Sequence, residues 1–282
     1  MELITGEKIQ EIADVSFSRN DDKGIESKNV VTYDVESFNF DNYDNPKIVY
    51  CNSGLINREK PVLINVKLYE KLLNFKNPFD LILHNSDQSF DKVHEKYFNI
   101  PNLKRIFTQN MNTTHPRLFP LPIGLANSNW KWGNTDIFSK HLNNLPEQKT
   151  ESIFFNFSID GGVREEHRPE CYQAVKKLGI KWIENTNFDL YLSRLKNYRY
   201  CISPQGNGID CYRMWECLYL KVIPIVKKNI VTEYFSQIFP MVVLDNWDDL
   251  DIDLLEKNYK KINSWENYHL LNLINFKKYI GL

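Results

Sequence analysis

The sequence predicts an α/β chain of two parallel-sheet halves. Three observations carry that expectation. Short apolar runs of strand length alternate with stretches of helical spacing along most of the chain. Residues 198–228 read as strand, glycine loop, helix and strand, and two strands joined through a helix make a parallel unit. A polar stretch at 139–151, which contains Pro146, interrupts the alternation, which then restarts. With 282 residues, 42% of them hydrophobic, the chain can fill one large core or two small ones.

Residues 1–28 are polar and poorly periodic, and predict loop or short edge elements. Val30 to Tyr33 and Ile48 to Cys51 predict strands, the second closed by Asn52-Ser53-Gly54. The spacing of Val66, Tyr69, Leu72 and Leu73 predicts a helix over 65–76, stopped by Asn77-Pro78. Phe79 to His84 reads as a buried strand, Arg105 to Thr108 as another, and Pro120 to Leu125 as a short strand and turn. Beyond the polar stretch, 153–157 predicts a strand, 166–178 a helix, 181–183 a strand and 188–197 a helix. Tyr200 to Ser203 is then a strand, Pro204 to Gly208 a turn, 209–220 a helix and 222–226 a buried strand. A last strand at 241–244 precedes helices at 249–262 and 264–280, the final one amphipathic through Tyr268, Leu271, Ile274 and Phe276.

Composition narrows the function classes. Lys+Arg 35 against Asp+Glu 36 leaves a net charge of −1, with no basic tail to call for nucleic acid. The five cysteines contain no Cys-x-x-Cys and predict reduced, mostly buried thiols. The charged N-terminus lacks an apolar signal region and no apolar run reaches membrane length, so a cytoplasmic chain without a transmembrane segment is expected. The 13% aromatic content suits a sugar-handling cleft and a core equally.

The chemistry centres on the loop and helix after residue 203. Gly206 and Gly208 carry no Cβ, so their backbone can approach a ligand closely. A helix start offers free N–H groups and a positive dipole end to an anion. Asp210, Arg213 and Glu216 follow at three-residue spacing, on roughly one face. That pattern suits a phosphate held by the loop and Arg213 beside a ribose held by Glu216. An ordinary turn, with Asp210 as a cap and Arg213 with Glu216 as a surface ion pair, fits the same residues. Gly161-Gly162 with Arg164 and Arg168 at a strand-to-helix turn offers a second diphosphate contact, or a solvated turn.

In the first half, His84 and Asp87 follow a buried strand, where α/β sheets place chemistry. Either could act as a general base, while Ser86 or Asp87 could equally cap the next element. Asn110 and His115 lie in the loop after the strand at 105–108, and a solvated role fits His115 as well. Trp130 and Trp132 could stack on a sugar or base, with core packing the stronger expectation. Asp248 to Asp253 contains Asp-x-Asp, which elsewhere holds a divalent ion against a diphosphate. At a helix start these acids read as caps, and no catalytic metal is expected.

Pro204-x-Gly206-x-Gly208-x-Asp210-x-x-Arg213-x-x-Glu216, followed by Ile223-Pro224-Ile225-Val226, resembles the C-terminal half of exostosin-like glycosyltransferases. Weaker likenesses at His84-Asn85-Ser86-Asp87 and Leu121-Pro122-Ile123-Gly124-Leu125 extend it over most of 80–250. The chain departs at Leu220-Lys221-Val222, where that family often has a glycine. The resemblance implies the glycosyltransferase B fold, two Rossmann-like domains facing a cleft. Residues 1–140 would form the acceptor-side domain and 150–262 the nucleotide-sugar domain, with 263–282 a helix packing back on the first.

It further implies an inverting, metal-independent transfer from a UDP-sugar to a glycan hydroxyl, with no other cofactor. Small soluble members encoded by algal viruses are similar in size and make UDP-xylose the first specific expectation. The donor residues would be Arg164, Arg168, Ser203, Pro204, Gly206, Asn207, Gly208, Asp210, Arg213 and Glu216. Asp87, then His84, would be the catalytic base, with His115 and Asn110 on the acceptor side. Two alternatives stand beside this: a fucosyltransferase-like enzyme using GDP-fucose, and an inactive glycan-binding protein.

Overall fold

The computed structural model describes residues 1–18, 29–34, 38, 46–56, 66–159 and 167–282. It is a mixed α/β structure with two all-parallel sheets, compatible with Rossmann-like folds. The chain divides into two compact units, one of residues 4–123 with 280–282, the other of residues 124–279 with 1–3. Residues 124–140, expected with the first half, therefore group with the second.

In the first unit, helix α1 (Gly6–Gln10) leads into β1 (Val15–Ser18), β2 (Thr32–Asp34), β3 (Ile48–Asn52), α2 (Val66–Leu73), β4 (Phe79–His84), β5 (Leu103–Thr108) and β6 (Leu118–Pro120). The strands lie in the order β2-β1-β3-β4-β5-β6, every pair parallel. All six residues of β4 are buried, as a strand covered on both faces requires. The reading of residues 1–28 as loop or edge needs correction, because β1 is interior to the sheet. Val15 and Phe17 are fully buried, and Ser16 between them is made tolerable by Gln10. The Gln10 Nε2 donates to Ser16 Oγ (2.9 Å) and to Thr32 Oγ1 (3.1 Å). A buried hydroxyl with a buried amide partner looks polar in the sequence and is not exposed in the fold.

In the second unit, α3 (Thr135–Leu142) precedes β7 (Glu151–Phe154), α4 (His167–Lys177), α5 (Phe188–Leu195), β8 (Tyr198–Ile202), α6 (Tyr212–Tyr219), β9 (Ile223–Lys227), α7 (Ile230–Ser236), β10 (Val242–Leu244), α8 (Ile252–Ile262) and α9 (Leu273–Ile280). The strand order is β10-β9-β8-β7, again parallel throughout. Ile153, Phe155, Tyr200, Ile202, Ile223 and Ile225 join Trp247 and Leu255 in its core. Helix α3 occupies part of the stretch expected as a linker, because the Asn134 side chain accepts from the Asp136 and Ile137 amides and starts it. Residues 181–183 form no strand. Ile183 donates one main-chain bond to Phe155 (2.9 Å), and the segment is anchored by Trp182, edge-on to Phe155, Phe157 and Tyr172.

Helix α6 ends in a reverse turn at the position where the resembling family often has a glycine. Lys221 adopts φ 53, its N–H reaching Leu218 O (3.2 Å) while the Val222 N–H reaches Cys217 O (2.9 Å). This is the left-handed stop of a Schellman motif made without glycine. Lys149 Nζ donates to Leu220 O and Lys196 O, satisfying carbonyls at two helix ends. The acids of 248–253 are caps and surface partners. Asp251 accepts from the Leu254 amide, Asp249 from the Asn246 amide, and Asp248 pairs with Lys177. The five cysteines are free, four of them buried and Cys211 half-buried. Among the described residues, no helix is long and apolar enough to cross a membrane.

Candidate functional site

The second unit gathers its candidates at the carboxyl ends of β7 and β8. β8 delivers Ser203 and Pro204 into a loop that runs to Cys211, so that α6 starts at Tyr212, three residues beyond the expected start at 209. The Ser203 amide still pairs with Ile225 O (2.9 Å), and its hydroxyl lies 3.5 Å from Cys211 Sγ; Ser203, Pro204 and Gly208 are buried. Gly206 is half-buried and Asn207 exposed at the loop's crest. Gly206 does not need a left-handed backbone. Its missing Cβ would stand 3.4 Å from Arg168 Nη2, so the glycine gives that guanidinium room. Cys211 starts α6 and makes no side-chain cap bond, leaving the first-turn N–H groups to be satisfied otherwise.

Two guanidiniums converge here. Arg168, from α4, donates through Nε to Gln205 O (3.0 Å) and through Nη1 to Ser158 O (2.9 Å). Arg213, from α6, donates to Asn156 O and lies over the Tyr191 ring, 5.3 Å from its centroid. Arg168 bonds to main-chain carbonyls and Arg213 to the Asn156 carbonyl and the Cys201 side chain, and among the described residues neither forms an ion pair with a carboxylate. Burial, and the nearness of Arg213, hold the Arg168 pKa below its ordinary value. For Arg213, burial acts downward but is outweighed by Tyr191, Cys201 and Glu216, and the group stays firmly charged. A guanidinium carries five N–H donors, so both keep donors for an incoming acceptor.

The two acids point elsewhere. Asp210 is buried, accepting from the Trp215 indole Nε1 (2.8 and 3.0 Å) and the Cys211 amide (2.7 Å). It orients the helix start, so its expected place among ligand contacts is taken by a structural one. Glu216, also buried, accepts at Oε2 from the Tyr191 hydroxyl (2.7 Å). Burial lifts its carboxyl above the usual carboxylate range, against the pull of Arg213 and the Tyr191 bond. Tyr191 was not foreseen. It sits on α5, twenty-odd residues upstream, and nothing in its local sequence marks it. Arg164 lies outside the described residues.

In the first unit, the strand order reverses between β1 and β3, and the carboxyl ends beside such a reversal are where α/β sheets bind ligands. There β3 and β4 hand over to two loops locked by buried polar groups. Asn52 Nδ2 donates to Asn85 O (3.3 Å), and Ser53 Oγ lies within bonding distance of His84 O and Ser86 O. Gln109 and Asn110 donate to Ser86 O (2.7 and 2.9 Å), and Gln109 Oε1 accepts from the Asn85 amide. Asn85 itself is left-handed at φ 57. Asn110 is thus fully buried scaffold rather than a surface contact.

His84 and Asp87 separate sharply. His84 is fully buried, its Nε2 3.0 Å from Pro122 O and its Nδ1 3.3 Å from the Asn85 side chain. Burial pushes its pKa down to about 4, so the ring is neutral, and its single N–H serves the Pro122 carbonyl from Nε2. Asp87 is exposed and makes no hydrogen bond among the described residues, since Ser86 Oγ takes the capping role by accepting from the Gln88 amide (3.2 Å). His115 belongs to the opposite end of the sheet. Leu118 pairs with Ile106, which sets residue 115 level with the amino end of β5. Its ring stacks on Phe98 at 3.7 Å, and Nδ1 accepts from the Arg117 amide.

No protein-family model matches the chain, and comparison with curated proteins gives no match. The functional reading therefore rests on the residues and their geometry.

Proposed function

We propose that the chain is a glycosyltransferase that moves a sugar from a nucleotide-sugar donor to a hydroxyl of a glycan acceptor. The observation that supports it is the pair Arg168 and Arg213, bonded to main-chain carbonyls beside a glycine loop and an uncapped helix start. Such a group of donors suits the diphosphate of a UDP-sugar, with UDP-xylose the first specific candidate. The finer reading of the fold, two Rossmann-like halves of the glycosyltransferase B kind, belongs to the same proposal.

The roles follow from the chemistry. As the bond to the sugar breaks, negative charge grows on the leaving diphosphate, and Arg168, Arg213 and the α6 N–H groups stabilise it without a metal ion. Tyr191 holds Glu216 Oε2 and leaves Oε1 to accept from a ribose hydroxyl. The acceptor hydroxyl must lose a proton as it attacks in line, which inverts the anomeric centre. Asp87 is assigned that proton, because it is an exposed carboxylate on a locked loop, whereas His84 is buried and engaged.

The test is direct. UDP should raise the melting temperature of the purified chain more than GDP does, because only the nucleotide that binds the native state stabilises it. Arg213→Ala and Arg168→Ala should each abolish most of that rise and lower donor turnover by roughly 10²–10³-fold. Turnover close to wild type in both variants refutes the site. A larger shift with GDP moves the donor to the GDP-fucose class.

A further inference from the structure

One feature contradicts its expected burial. Trp130 and Trp132, read as core residues, are 42% and 44% exposed. Their rings stack in parallel, with centroids 5.4 Å apart and an interplanar angle of 10°. The segment that carries them is clamped. The Trp130 amide donates to Asn127 O (3.0 Å) and the Gly133 amide to Trp130 O (2.9 Å). Asn127 is buried, and a Cβ on residue 133 would fall 1.7 Å from its carbonyl oxygen, so only glycine closes this loop. On the far side Asn134 caps α3. Two indoles are thus held in water with their planes aligned, at a free-energy cost that packing elsewhere would have avoided.

The size and charge of the patch select its partner. Two tryptophans exposed to this extent offer roughly 200 Å² of ring surface. A stable protein interface needs about 800 Å² from each side. Membrane anchoring needs a second signal such as a basic patch, and single-stranded nucleic acid needs cations along its backbone. Within residues 128–134 Lys131 is the one cation, and the exposed residues Ser128, Asn129 and Asn134 are neutral. Exposed, parallel indole rings in a mostly neutral polar segment match a sugar ring, which is apolar on its C–H face and ringed by hydroxyls.

We propose that residues 128–134 form a carbohydrate-binding platform, on which Trp130 and Trp132 stack the C–H faces of neutral sugar units of a glycan chain. The platform does not depend on the nucleotide reading of the Arg168 and Arg213 site, and its test has a separate readout. Xylohexaose, cellohexaose and chitohexaose would be titrated into the full chain, following tryptophan emission and binding heat. Phosphatidylserine vesicles and a thymidine 20-mer serve as competing probes. At least one oligosaccharide should bind saturably, and the Trp130→Ala/Trp132→Ala double variant should weaken that binding by about tenfold or more. The UDP-induced melting shift should be equal in both proteins. If the double variant does not fold, single Trp130→Gln and Trp132→Gln variants should each weaken binding by about threefold. Absence of binding by all three sugars to about 10 mM overturns the proposal. So does wild-type affinity in the variants, or a Trp-dependent response to the vesicles or the oligonucleotide alone. Loss of the UDP shift with sugar binding intact would count against the nucleotide site only.

Discussion

Acidification should destabilise the chain through His84, by an amount that follows from the lowered pKa of its buried ring. The imidazole is fully buried at the carboxyl end of β4, and burial lowers its pKa to about 4 from an ordinary 6.5. Below pH 6.5 the unfolded chain takes up a proton at this residue and the folded chain does not. The unfolded state then binds more protons, so stability falls as pH drops from 6.5 to about 4, and it is unaffected by this group above 6.5. At roughly 1.4 kcal/mol per pH unit, the window is worth about 3 kcal/mol. The perturbation is His84→Gln, which keeps a donor for Pro122 O and removes the titration. Urea unfolding of both proteins at several pH values cancels the carboxylates they share. The stability difference should shift by about 3 kcal/mol between pH 7 and 4, with wild type losing more. In parallel, the His84 imidazole resonances should stay still from pH 7.5 to 5. A flat difference, or a His84 ring that titrates between pH 6 and 7, refutes the argument and would return His84 to the candidates for general base.

Three further outcomes follow. Lys221→Gly should raise stability by about 0.5–1 kcal/mol in thermal unfolding, because glycine adopts the left-handed turn at φ 53 without the strain a side chain adds; a loss above that size would show that the Lys221 contact with the Tyr268 ring matters more. Asp80→Ala should cost about 2–3 kcal/mol in urea, since it strips Arg105 of a two-pronged partner (3.0 and 2.6 Å) in a partly buried site; a cost below about 0.5 kcal/mol would place the pair with ordinary surface ion pairs. Tyr191→Phe should weaken UDP binding by about tenfold and shrink the preference for UDP over its 2′-deoxy analogue, because Glu216 loses the bond that fixes it; an unchanged preference would remove Glu216 from the ribose.

What the sequence shows and hides follows from where each residue's partner lies. β4 and β9 are legible because their apolar runs leave a strand no other environment. β1 is not, because Ser16 and Ser18 break the run, and the Gln10 amide that makes burial possible comes from a helix of only five residues. The loop at 204–208 and the spacing of Arg213 and Glu216 are local, so the strand-loop-helix was visible. Its wiring is not local. Arg213 answers to the carbonyl of Asn156, Glu216 to Tyr191, and Asp210 to Trp215, and only the fold brings the first two together. His84 shows the same limit from the other side. A histidine after a strand reads as chemistry until the Pro122 carbonyl, 38 residues on, is seen against it.

The arrangement of charge around α6 argues for a ligand more strongly than any one residue does. Bringing two guanidiniums together in a partly buried place is uphill, and Arg213 accordingly helps depress the Arg168 pKa. A purely structural pair relieves that strain with a carboxylate set between the two. This site has buried carboxylates within reach of such a role, yet it ties them to neutral donors, Asp210 to the Trp215 indole and Glu216 to the Tyr191 hydroxyl. Arg168 is left to main-chain carbonyls, which supply no full negative charge, while Arg213 has Glu216 near it but forms no ion pair with it among the described residues. An anion with several oxygens would form charge-assisted bonds to both, roughly twice as strong as neutral ones. The loop at Gly206 leaves room for Arg168, and Cys211 makes no side-chain cap bond at the start of α6. Each feature has an ordinary structural explanation alone. Together they support the diphosphate site proposed above, with positive charge from Arg168 and Arg213 held in position beside the loop.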